Sequence, residues 1–143
     1  MYRFFEIFRI VAMGLVLTGC SVPPGVQAPV TIRSAWHGAL AETAAAELTP
    51  GGMLEIRLQA NAATGYGWQP DFSGNHGVLE PEEQEYRPSE NGLCGAPGVA
   101  VWRLRAVKTG QAVLVFRYFR PWEKFDPAHD AMREVKITVN PGR

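Results

Sequence analysis

The sequence predicts an all-β domain, an antiparallel sandwich of two sheets made from seven to eight short strands. Three observations carry that reading. Four segments read as strands, two of them alternating apolar and polar residues with the period of two that a half-buried strand requires, and there is no long helical periodicity. Fifteen glycines and eleven prolines punctuate the chain at short intervals. Its 143 residues also suffice for one domain with a sizeable core, without help from metals or several disulfides.

The first elements lie outside the sandwich. Residues 1–19 read as an export signal: Arg3, Glu6 and Arg9 open it, an apolar run over 10–17 follows, and Leu17-Thr18-Gly19 leads to Cys20. The run is too short to cross a bilayer as a helix. Leu-Thr-Gly-Cys resembles a bacterial lipobox, and the resemblance implies that Cys20 becomes the acylated first residue of the mature chain. Cys94 is then the only other cysteine, so no intramolecular disulfide is expected. Residues 20–29, rich in Pro and small residues, read as a tether from the lipid to a domain spanning 30–143. The lipid at Cys20 would hold that domain on a membrane surface. Ser21 stands where Asp often marks retention at the inner membrane, so the expected site is the outer membrane, facing the periplasm or the exterior.

Within the domain, residues 31–36 and 43–48 are the first strand candidates. The second is alanine-rich and on propensity could be helical, but it is short and Pro50 follows it. Residues 53–59 are clearer, with Leu54, Ile56 and Leu58 on one buried face. Candidates at 66–72 and 79–86 come next; the latter holds Glu80, Glu82, Glu83 and Glu85, read as a solvated edge strand protected by charge. Residues 99–107 place Trp102, Leu104 and Ala106 opposite Val99, Val101, Arg103 and Arg105. Residues 111–118 are β-branched and aromatic, and 133–139 put Val135, Ile137 and Val139 on one face. Lys108-Thr109-Gly110 between two strong strands reads as a hairpin turn.

Function is expected in the connections, where a rigid scaffold displays loops. In Asn61-Ala62-Ala63-Thr64-Gly65-Tyr66-Gly67-Trp68, Asn61 can bond its own following backbone and Gly65 can take positive φ, which leaves the Thr64 hydroxyl at an exposed tip. Tyr66 and Trp68 share a side of the next strand, with Trp68 read as core. The segment Gly95-Ala96-Pro97-Gly98 offers a bare, extended backbone suited to edge-on pairing. In Arg120-Pro121-Trp122, Pro121 stiffens the exit from a strand and Trp122 is an aromatic the core does not require. Arg120 either binds a partner or serves the fold, by stacking on Trp68 or pairing with Glu123.

These three segments in order, with Trp102, Lys108-Thr109-Gly110 and Tyr118 in step between them, resemble the chagasin-type inhibitors of papain-like cysteine peptidases. The resemblance covers roughly residues 30–139. It implies an immunoglobulin-like sandwich that gathers three loops at one end and occludes the peptidase cleft reversibly. Thr64 would enter at the catalytic cysteine, with Asn61, Gly65 and Tyr66 shaping the wedge. The 95–98 segment would line one side of the cleft, and Arg120, Pro121 and Trp122 the other. Ala62 and Ala63 depart from the family's Pro and Thr, which is expected to loosen the tip, and Pro97 stands where the family often has Gly.

The remaining composition narrows the function. Fourteen basic and fourteen acidic residues balance, which argues against nucleic acid. His37, His76 and His129 show no metal-ligand spacing, and no nucleophile or phosphate-binding motif is present. The expectation is therefore a monomeric protein that is not an enzyme and needs no metal or cofactor. A non-inhibitory envelope lipoprotein of the same fold, binding sugar or a structural partner, is the alternative.

Overall fold

The computed structural model describes residues 28–34, 40–90 and 95–142. They form eight strands in two four-stranded sheets, the sandwich the sequence predicts. One sheet has the order β1 (Val30–Ser34), β3 (Met53–Ala60), β6 (Gly98–Ala106), β5 (Leu79–Arg87). The other has the order β2 (Ala41–Leu48), β8 (Ala131–Val139), β7 (Gly110–Phe119), β4 (Gly67–Gly74).

Alternation decides which side chains turn inward. Leu54, Ile56 and Leu58 of β3 and Trp102, Leu104 and Ala106 of β6 meet Ala112, Leu114, Phe116 and Tyr118 of β7 and Val135, Ile137 and Val139 of β8. Phe116 is fully buried and its ring centroid lies 4.8 Å from that of Trp102, which joins the sheets across the centre. Each such large side chain contributes about 1.5–3 kcal/mol by leaving water. The alanine-rich β2 is a strand because its register on β8 sets Ala44, Ala46 and Leu48 beside Val135, Ile137 and Val139. Tertiary pairing outweighs alanine's helical preference there.

Two features of the topology differ from the sequence pattern. The pairs β1–β3 and β2–β8 are parallel within an otherwise antiparallel sandwich, and side-chain alternation carries no sign of strand direction. Residues 107–109 do not form a hairpin: β6 and β7 belong to opposite sheets, and the connection crosses between them. The Val107 and Lys108 N–H groups both donate to the Val78 carbonyl, which fixes that crossing.

The outer face of the first sheet is an ionic ladder. Glu55 is buried and paired with Arg57 and Arg103, while Arg103 and Arg105 also reach Glu83 and Glu82 of β5. The acidic edge strand is exposed to solvent, as the sequence predicts, and its carboxylates are also met by arginines of its neighbour. The hydrogen bond from Arg103 holds the Glu55 carboxyl below its ordinary range; burial opposes this and Arg57 adds to it. A depressed pKa contributes stability above the unfolded value, and that contribution is lost as pH falls through the folded value. Glu55→Gln should therefore be less stable than the parent at pH 7. Thermal unfolding followed downward from pH 5 should show the two proteins converging.

Candidate functional site

Strand direction brings the three sequence-predicted loops to one end. Ala60 pairs with Gly98, so the connection leaving β3 lies beside the one entering β6. Gly67 pairs with Phe119, so the connection entering β4 lies beside the one leaving β7.

The first loop is closed on itself. Ala62–Thr64 form a single 3-10 turn, and the Asn61 side chain caps it by accepting the Ala63 N–H at 3.1 Å. The Thr64 hydroxyl donates to the Asn61 carbonyl at 2.7 Å, and Gly65 takes φ 77° to end the turn. That left-handed conformation suits glycine and strains other residues. The tip is held this way without the family's proline. Thr64 is exposed, but its hydroxyl proton is already committed inward, so outward it offers acceptor capacity and a methyl group.

The other two loops are tied to the first. Asn61 Nδ2 donates to the Gly95 carbonyl at 3.0 Å. Arg120 Nε donates to the Thr64 carbonyl at 3.3 Å, and its guanidinium lies 4.9 Å from the Tyr66 ring centroid. Arg120 also pairs with Glu123 at 3.3 Å. Its aromatic partner is therefore Tyr66 and not Trp68, which stacks under Arg133 instead. Pro121 is exposed, and Trp122 is 72% exposed although its ring rests on Gly65: a Cβ added there would stand 2.8 Å from Trp122 Cη2. Farther along, the Ala128 N–H and then His129 hold the Asp126 carboxyl below its ordinary range.

The glycine-rich segment is less bare than its composition suggests. Gly95 turns at φ 82°, Ala96 is half-buried and Pro97 is exposed. Gly98 is buried within β6, paired with Ala60, and a Cβ there would collide with the Tyr86 ring and the Arg87 carbonyl. Its glycine serves close packing rather than an accessible edge. Cys94, His37 and Cys20 lie outside the described residues, whereas His76 sits in the β4–β5 turn and His129 beside Asp126.

Tyr118 supports the first loop from below, a role the sequence reading missed because its alternation in β7 reports only a core position. The hydroxyl accepts the Asn61 N–H at 2.9 Å, and the ring lies 5.5 Å from Tyr66 and 4.9 Å from Trp68. Trp68 is core, as expected, with its indole N–H on the Gln59 carbonyl. Tyr118→Phe removes the acceptor beneath Asn61. About 1 kcal/mol of stability should be lost in thermal unfolding.

Comparison with known proteins accords with this arrangement. The family model described as chagasin family peptidase inhibitor I42 matches residues 47–139. Chagasin of Trypanosoma cruzi is 30% identical over 107 residues, covering 71% of this chain and 89% of that protein. Amoebiasin-2 of Entamoeba histolytica is 29% identical over 72 residues, covering 50% of this chain; the match spans only 58% of amoebiasin-2. The structure of PbICP-C in complex with falcipain-2 superposes with a TM-score of 0.59 at 19% identity, over 78% of this chain and 99% of that one, and so shares the fold.

Proposed function

The chain belongs to the chagasin family of peptidase inhibitors, and from that premise we propose that it inhibits papain-like cysteine peptidases by seating three loops in and around the active-site cleft. The observation that carries this reading is the coupling of an exposed anchor to a pre-formed wedge. Trp122 presents a large rigid ring to solvent while resting on Gly65, at the end of a turn already closed by its own hydrogen bonds. Little ordering is left to be lost on association, which favours affinity.

The wedge geometry supports inhibition without cleavage. A peptidase cleft aligns an extended strand by backbone pairing. Residues 61–65 are folded into a 3-10 turn whose carbonyls at Asn61 and Ala62 accept hydrogen bonds from within the loop. The turn therefore fills space at the catalytic thiolate without presenting an extended scissile bond. Pro97 and Ala96 flank one wall of the cleft, and Trp122 with Arg120 and Pro121 flank the other. The inhibitor acts as a monomer, with no cofactor.

The reading includes a lipid anchor at Cys20, outside the described residues, on an outer membrane. Val30 is in register with Leu54, six residues from the loop end of β3, which is about 20 Å away. The chain therefore enters the domain at the end of the sandwich opposite the three loops, which leaves them clear of the point of attachment. The test is a titration of papain, on a fluorogenic peptide, with the full chain. Stoichiometric, reversible loss of activity with the inhibitor left intact is expected; full papain activity at micromolar protein would sink the reading.

A further inference from the structure

Arg133 is a buried cation in β8, with its side chain only 7% exposed. Burying a guanidinium is costly unless its donors are met, and here they are met largely by the N-terminal strands. Arg133 Nε lies 2.9 Å from Glu42 Oε2 of β2 and donates to Ser34 Oγ of β1 at 2.5 Å. Nη1 donates to the carbonyls of Leu40 at 3.1 Å and Met132 at 2.8 Å, while Ser34 Oγ donates onward to Glu42 at 2.9 Å. Ser34, Leu40 and Glu42 all precede the segment, 47–139, that matches the family.

The opposite face of this cluster meets the support of the wedge. The guanidinium lies 5.7 Å from the Trp68 ring centroid, within cation–π range. The Trp68 and Tyr118 rings meet at a tilt with centroids 4.9 Å apart, and Tyr118 accepts the Asn61 N–H that opens the wedge. A continuous set of contacts therefore joins the N-terminal arm to the first residue of the inhibitory turn. Strand direction is consistent with this, since β1 ends and β2 begins at the loop end of the sandwich.

We propose that Arg133, held by Glu42 and Ser34, is a positioning residue for the wedge, which makes the β1–β2 arm a working part of the inhibitor. This rests on the inhibitory reading above. Contact alone does not establish coupling between sites, so the experiment measures coupling. Arg133→Met and Glu42→Gln are made in the full chain, together with Val139→Ala, a core change at the far end of β8. Each variant is characterised by thermal unfolding, by its inhibition constant for papain and by hydrogen exchange at the Asn61 amide.

Arg133→Met and Glu42→Gln should weaken inhibition about 10-fold and speed Asn61 exchange more than Val139→Ala does at equal loss of Tm. Arg133→Lys, which keeps the charge but not the planar fork, should restore part of both. If Arg133→Met weakens inhibition and Asn61 protection no more than its loss of Tm predicts from Val139→Ala, the positioning role is wrong. Should the parent fail to inhibit papain, the functional reading falls, and Asn61 exchange alone decides whether Arg133 positions the turn.

Discussion

Replacing Trp122 by alanine is expected to raise the inhibition constant for papain about 30-fold or more while leaving thermal unfolding unchanged. The magnitude follows from what a buried aromatic anchor contributes to an interface, about 2 kcal/mol or more, and a tenfold change in affinity corresponds to about 1.4 kcal/mol. The unchanged stability follows from exposure: at 72% exposed, the ring gives little to the core. The two readouts separate an interface residue from a structural one. A fall in Tm would mean that the ring's contact with Gly65 matters to the fold. An unchanged inhibition constant would remove the third loop from the interface.

Gly65→Ala should be comparably damaging for a different reason. At φ 77° an L-residue is strained by about 1–2 kcal/mol, and the added methyl would stand 2.8 Å from the Trp122 ring. The turn must then open or Trp122 must swing away, and both disturb the surface offered to a peptidase. An inhibition constant raised at least tenfold is expected, with the sandwich itself intact by circular dichroism. Because the two residues touch, their effects should not add. In a Trp122→Ala background, Gly65→Ala should cost measurably less than in the parent, and full additivity would show that the ring and the turn act separately.

The core and the loops were legible in the sequence to different depths. Strands such as β3 and β8 declare themselves because one buried face forces alternation, and Leu54-Ile56-Leu58 and Val135-Ile137-Val139 need no further context. Sheet membership does not follow from alternation, which is why Lys108-Thr109-Gly110 resembles a hairpin yet crosses between sheets. At the loop end, residue types already marked Asn61, Gly65 and Trp122. Their mutual contacts were not legible, because each joins residues tens of positions apart: Asn61 to Gly95, Thr64 to Arg120, Gly65 to Trp122. The packing role of Gly98 was not legible for the same reason. Its sequence neighbours suggest an open segment, whereas the Tyr86 ring that demands a glycine comes from the adjacent strand.

Tyr118 and Arg133 show the limit most clearly. Both sit within strand alternation, and nothing local distinguishes a tyrosine that fills the core from one whose hydroxyl holds a loop. The distinction rests on one hydrogen bond to Asn61, 57 positions away.

Occlusion of the cleft is tested most directly by calorimetric binding of the full chain to two forms of papain. One form has a free cleft; in the other, the catalytic cysteine carries a peptidyl group that fills the cleft. Tight one-to-one binding to the first and binding weakened at least a hundredfold with the second are expected if Thr64 and its turn enter the cleft. Equal affinity for both forms would place the contact elsewhere on the peptidase and contradict the three-loop mechanism.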